Sequence, residues 1–408
     1  RLAPSGIACE VVESAPGRGN LIARLRGVGQ DKPLALLGHL DVVPADPADW
    51  TYPPFAAEIH DGYLWGRGST DMKHMIALSA AILLSLAESA KPLRRDVLLL
   101  ATADEERGGR MGVGWLAKNR PEAFDVDCVL NEGGGNPVQV GGKLFYTCQS
   151  AEKGLCRTVW MARAAGGHAS RPRRDIATAK LARAVARLDD GHLGGRAIAT
   201  MRQALQIIAR ARSSQAEAQT QALLDQGEIE DAMRAAGFDE QGLDHYRALF
   251  YDTVAVTGLR AGDPQAINVI APTAAAYADG RVLPGQTQEG FFELLRQRLG
   301  DEVEVAPYNG GFSAGMESRT DHPIWQVIER AVAERCSGAA VIPWQCAGST
   351  DAKHLVPLGV PVYGFIPAKP LPEGVEVAGA HANDERLWLE NIPFGFDILR
   401  DIVVRFCR

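Results

Sequence analysis

Three apolar runs in the first third of the chain, PLALLGHLDVV, RRDVLLLATAD and VDCVLNEGGG, constrain the fold more than any other feature. Each is a short, near-continuous stretch of Leu, Val and Ala without the alternation of a half-exposed strand, so each reads as a strand buried on both faces. Helical stretches such as MIALSAAILLSLAESA and VGWLAKN separate them. That rhythm predicts an α/β domain with a mostly parallel sheet and helices on both faces. It returns at the end of the chain, where HPIWQVIERAVAERC reads as a helix, VPVYGFIP as a strand and FGFDILRDIVVRFC as a closing helix.

The middle of the chain follows another pattern. GLCRTVWMARA alternates as a half-exposed strand does, DIATAKLARAVARL is amphipathic, and INVIAPTAAAYADGRVLP and EVEVAPYN give further alternating strands around the helix QEGFFELLRQRLG. The expected organisation is a discontinuous first domain, 1–151 and 320–408, with an α+β domain, 152–319, inserted into it. A mainly helical stretch at about 189–249 elaborates the insert.

With 408 residues the chain can bury a large core, and its formal charge of -7, with Lys and Arg scattered, argues against nucleic acid as a partner. Seven cysteines without a CxxC pair fit neither a zinc ribbon nor a disulfide scaffold; free thiols suit a reducing compartment, so a cytoplasmic location is expected. The longest apolar run is too short and too interrupted by Ser to span a bilayer, which makes it a core helix and leaves no membrane segment in this chain. The chain opens without Met, which leaves room for a preceding segment carrying a signal or anchor.

The chemistry sits where the apolar runs stop. His39 and Asp41 lie two apart at a strand end and leave the same face; alone they read as an ordinary hydrogen-bonded pair. Asp71, in the Gly-rich turn GRGSTDMK before a helix, reads either as an N-cap or as a carboxylate aimed into a site. In ATADEERGG, Glu105 and Glu106 fall past the carboxyl edge of a buried strand, and neighbours in extended chain point to opposite sides. One of them can bind a cation while the other faces a bound water. Glu132, in VLNEGGG, repeats the pattern. Four acid- or His-bearing sites at one sheet edge would repel one another in a partly dry cleft, and divalent cations would neutralise them. Histidine and carboxylate donors without thiolate favour zinc, with cobalt or manganese possible, and about five ligands suggest two ions sharing a bridging carboxylate.

GHLDVVP, GRGSTDMK, DEERGG, NEGG, GGHASRP and HANDERL occur together in an order that resembles the co-catalytic di-zinc metallopeptidases and deacylases. That family includes acetylornithine deacetylase, succinyl-diaminopimelate desuccinylase, aminoacylase, carnosinase and glutamate carboxypeptidase. The chain is most similar to the branch of vacuolar-type carboxypeptidases and N-acyl-amino-acid hydrolases. The resemblance implies two Zn2+ per chain (Co2+ or Mn2+ possible), with His39 on one ion, Asp71 bridging both, Glu106 on the second, and Glu132 and His381 completing the two sets. It implies Glu105 as general base and Asp41 as the group that orients His39. It makes the insert a lid and dimerisation domain of a homodimer, whose His168 stabilises the oxyanion. Asn268 and Arg281 would lie near the substrate, although Arg281 equally suits a structural pairing with Asp279. The AGSTDAKHL stretch, with Cys346, Gly348, Ser349 and Thr350, would pack around the acid end of a substrate that carries a free carboxylate. The implied activity is hydrolysis of an amide bond in an N-acyl amino acid or small peptide. The rival readings are a single-metal aminopeptidase, separated by counting metal per chain, and a non-catalytic binding protein on the same fold. Asp104 is expected to shape its turn, His74 to face the neighbouring core or solvent instead of a metal, and His322 and His354 to be surface or packing residues.

Overall fold

The computed structural model describes residues 1–89, 91–372, 375 and 377–408. Two compact units divide the chain: Arg1–Ser150 with Ser318–Trp344 and Thr350–Arg408, and Ala151–Glu317 with Gln345–Ser349.

In the first unit the apolar runs form the centre of a mixed sheet. Strands Val97–Thr102, Leu34–His39, Cys128–Asn131 and Val362–Gly364 lie side by side in that order, all parallel. Antiparallel strands flank them: Gly19–Leu25 and then Ala8–Glu13 on one side, Lys143–Glu152 on the other. The side chains of Leu34, Leu36, Val97, Leu99, Cys128 and Leu130 share one core with helices Lys73–Ala87, Pro323–Arg335 and Asn391–Cys407. The intervening Ala35, Leu37, Leu98, Leu100 and Val129 point to the other face and are buried as well. Burial on both faces is why these strands carry no alternation. Ala8–Glu13 is an exposed edge strand that the apolar pattern did not mark. A small antiparallel sheet of Glu58–His60, Tyr63–Trp65 and Arg386–Trp388 completes this unit's strands near the site.

The second unit is built on an antiparallel five-stranded sheet, in the order His192–Gly195, Tyr251–Ala261, Thr273–Val282, Gly154–Arg163, Glu304–Ser313. Gly154–Arg163 buries alternate residues, among them Cys156, Trp160 and Ala162, which pack with helices Ala177–Arg187 and Gln288–Leu299. The second of these helices begins at the Thr287 hydroxyl, which accepts the Gly290 N–H at 3.0 Å. Helices Ala199–Arg212, Ser214–Gln226, Ile229–Ala236 and Glu240–Tyr246 fill most of the stretch read as helical. Among the described residues, no helix is long and apolar enough to cross a membrane.

Candidate active site

Parallel neighbours end at the same edge, so the first unit's central strands deliver their following residues to one place. His39 closes its strand at 1% exposure. Its Nδ1 lies 3.0 Å from the Asp41 main-chain carbonyl, which places the ring proton there and leaves Nε2 as the free donor atom. Nε2 lies 2.9 Å from Asp71 Oδ1 and 3.6 Å from Glu132 Oε2. The Asp41 carboxylate, 3.6 Å from Nδ1, accepts the N–H groups of Glu105 at 3.1 Å and Glu106 at 3.2 Å. Asp41 therefore ties the end of one strand to the turn after the next.

Asp71 comes from elsewhere. It sits in the loop between the small-sheet strand Tyr63–Trp65 and helix Lys73–Ala87, so only three of the four acid or His positions belong to the central sheet. The helix N-cap is Met72, with no side-chain capping bond, which removes the capping explanation for Asp71. The carboxylate instead splits its oxygens: Oδ1 faces His39, and Oδ2 lies 3.2 Å from His381 Nε2. His381 is 3.0 Å from Glu106 Oε2. Two half-sites result, His39 with Glu132 and His381 with Glu106, joined by Asp71.

Donors around a tetrahedral zinc with bonds near 2.0–2.1 Å lie roughly 3.3 Å apart. The spacings above, from 2.9 to 3.6 Å, suit such a cation. Donor atoms of His39, Asp71 and Glu106 fall within 4.8 Å of one another, as do those of His39, Glu105 and Glu132. The electrostatics point the same way. Burial works against a charged His39, but its bonds to Asp41, Asp71 and Glu132 outweigh this and raise its pKa. Burial, with Asp71 close by, raises that of Glu106. The cluster gathers protons where cations could replace them. The donor set fits one or two divalent ions.

The glutamate pair sits on a single 3-10 turn, Glu105–Arg107, entered through Asp104 in the left-handed conformation (φ 74°). Asp104 shapes this turn through its carboxylate, which accepts the Met111 N–H at 3.2 Å, and its carbonyl, which accepts the Gly109 N–H at 2.6 Å. The two side chains face different company: Glu106 meets His381, and Glu105 Oε1 lies 3.5 Å from Lys353 Nζ. Burial pushes Glu105 up to about 8, with Glu132 and Asp351 adding and Lys353 opposing.

Four residues of this neighbourhood escaped the sequence reading: Asp351, Lys353, Arg67 and Glu385. Asp351 is fully buried, 3.3 Å from the Thr102 hydroxyl, and burial pushes its pKa up to about 7. Asp351 and Lys353 lie within AGSTDAKHL and Glu385 within HANDERL, stretches whose other residues carry the plainer chemical signal. A buried charge leaves no mark in a single sequence.

The substrate-side candidates divide between the units. Thr350, in the first, accepts from Asn131 Nδ2 at 3.2 Å and caps the following turn through the Ala352 N–H at 3.1 Å. In the second unit His168 is exposed, its Nδ1 2.8 Å from the Ser170 hydroxyl, and it pairs across a short ladder with Val269, beside Asn268. Arg281 bonds Asp279 at 2.6 Å, the structural pairing its sequence position equally suits. Gly348 donates to Cys346 Sγ at 3.3 Å, and Ser349 follows it.

A family model for peptidase family M20/M25/M40 matches residues 35–405. The chain is 28% identical over 371 residues to the Xenopus tropicalis N-fatty-acyl-amino acid synthase/hydrolase PM20D1, covering 88% of this chain and 70% of that one. Its fold is similar to that of an M20 family metallo-carboxypeptidase from Sulfolobus solfataricus, with a TM-score of 0.67, 22% identity and coverage of 98% and 90%. It is also similar to a Bacillus subtilis dinuclear metal-binding peptidase from the M20 family, with a TM-score of 0.61, 13% identity and coverage of 100% and 89%. The match over residues 35–405 makes the chain a metallopeptidase-type hydrolase. The chain belongs to peptidase family M20/M25/M40.

Proposed function

We propose that this protein hydrolyses the amide bond of an N-acyl amino acid or small peptide at a two-cation centre, with Glu105 as general base. The observation that supports the reading is the different company of the adjacent glutamates, Glu106 beside His381 and Glu105 beside Lys353. Divalent cations held by His39, Asp71, Glu106, Glu132 and His381 would acidify water and polarise the scissile carbonyl. Glu105 takes the proton of the attacking water and returns it to the leaving nitrogen, which requires a carboxylate near the water yet off the metal. Lys353 holds that carboxylate from behind. His168 is assigned donation to the developing oxyanion, and the second unit the contacts of a homodimer.

The acyl side of the substrate is proposed to be apolar. A cavity of about 680 Å³ shares Asp71 and Glu132 with the metal cluster and is lined by Leu78, Leu144, Ile366 and Leu387 together with the polar Asn136, Gln139 and Lys369. Its size suits a small-molecule site. An apolar chain agrees with the fatty-acyl substrate in the name of the Xenopus relative.

The test compares Glu105→Gln with Glu106→Gln. The first is expected to cut kcat by about 100- to 10,000-fold while two metals per chain remain by mass spectrometry. The second is expected to lose a metal. Near wild-type turnover in Glu105→Gln would remove Glu105 from the mechanism, and a single metal in the wild type would favour the single-metal reading. A series of N-acyl amino acids of rising chain length then tests the cavity, with a flat kcat/KM profile counting against it.

A further inference from the structure

The loop at 66–71 carries the bridging Asp71, yet it belongs to no sheet and its own helix does not cap it. Its backbone N–H groups must go somewhere. Four of the six end on one residue. Gly66 donates to the Glu385 carbonyl at 3.0 Å, Gly68 to its Oε2 at 3.0 Å, and Thr70 and Asp71 to its Oε1 at 2.7 and 3.1 Å. The Thr70 hydroxyl adds a further bond to Oε1 at 2.8 Å. Arg67 Nη1 completes the set on Oε2 at 2.7 Å. The loop is thus an anion-binding nest occupied by a protein carboxylate.

The same pair reaches the other loop-borne donor. Arg67 Nη2 lies 3.3 Å from the His381 carbonyl, and Glu385 is itself four residues past His381. Beyond it, Arg386 and Leu387 pair with Trp65 and Leu64 in the small sheet, just before the Asp71 loop begins. Both partners are inaccessible, with side-chain exposure of 3% for Arg67 and 0% for Glu385. Arg67 also lies over the Trp50 ring, 5.1 Å from its centre.

We infer that Glu385, with Arg67 as its counter-charge, is the positioning residue of the metal centre, holding the loops of Asp71 and His381 at the spacing that two cations require. The inference rests on the two-cation reading. Glu385 touches none of the donor side-chain atoms, so it acts only through the loops. A carboxylate this saturated is rigid: each oxygen accepts two or three donors, and rotating it breaks all of them together. His39, Glu106 and Glu132 follow ladder-bonded strands, whereas Asp71 and His381 have this clamp instead.

The test is cobalt titration of metal-stripped protein, read by visible absorption and metal analysis alongside thermal unfolding. The wild type is expected to take up two Co2+ per chain. Glu385→Asp keeps the charge beside Arg67 but withdraws its oxygens by one methylene; it is expected to stay folded and to bind cobalt about 10- to 100-fold more weakly. The paired variant Glu385→Gln with Arg67→Met removes both buried charges, so no lone charge is left to unfold the chain. It is expected to unfold near the wild-type temperature while still binding cobalt weakly. Two ions bound with wild-type affinity by either variant would overturn the inference while sparing the metal centre. A wild-type chain that takes up no cobalt would overturn both.

Discussion

The main sheets of the two units put charge in different places. In the first unit the central strands are buried on both faces, so His and carboxylates appear only where the strands end, and there they converge. In the second the strands alternate, as in Gly154–Arg163, so charged groups such as Arg157 and Arg163 spread along an exposed face. Continuous burial concentrates chemistry at an edge, and alternation disperses it. The second unit has its own exception in Lys153, fully buried and donating to the Thr253 hydroxyl at 3.0 Å.

The largest effects are expected at the first sheet's edge. His39→Ala and His381→Ala should each remove a cation and nearly all turnover, measured by metal content and kcat together. If only His39→Ala did so, the two half-sites would not be equivalent. Next, Leu99→Ala, inside the doubly buried strand, should cost about 2–5 kcal/mol in denaturant unfolding. Val159→Ala, on the half-exposed face of Gly154–Arg163, should cost under about 1.5 kcal/mol, and equal losses would erase the contrast between the sheets.

Lys153 gives a pH-dependent test. Burial lowers its pKa to about 7, opposed by Asp252, against an ordinary 10.5 in the unfolded chain. Below pH 7 both states hold the proton, and the full cost of the buried charge is present. Between about 7 and 10.5 the unfolded chain binds more protons, so this residue makes stability rise with pH, by at most about 1.4 kcal/mol for each step of one in pH. Lys153→Met should abolish that rise in unfolding curves taken from pH 7 to 10, and a variant curve parallel to the wild type would exclude Lys153 as its source. The smallest effect belongs to Thr70→Val, which removes one bond to Glu385 and should cost about 1 kcal/mol. Cobalt affinity should fall only a few-fold, because the other bonds to Glu385 persist.

Much of this was legible in the chain. The apolar runs fixed the central strands because a residue facing core on either side has few alternatives to Leu, Val or Ala. The acids that follow them pointed to a site because several strand ends at one sheet edge each carry an acid or His, a crowding that is costly unless a cation neutralises it. Asp71 was ambiguous, since a carboxylate before a helix suits a cap as well as a ligand, and only the observed cap at Met72 separated the two.

The sequence by itself determined which side chains could bind a cation, because donor chemistry is a property of residue type, and that His39, Glu105, Glu106 and Glu132 would end or follow buried strands of one sheet. Tertiary structure decided how Asp71 divides its oxygens between His39 and His381, that Glu385 binds the Asp71 loop and that Lys353 lies beside Glu105. Those relations join residues hundreds of positions apart, and their strength comes from burial and geometry that no local pattern encodes.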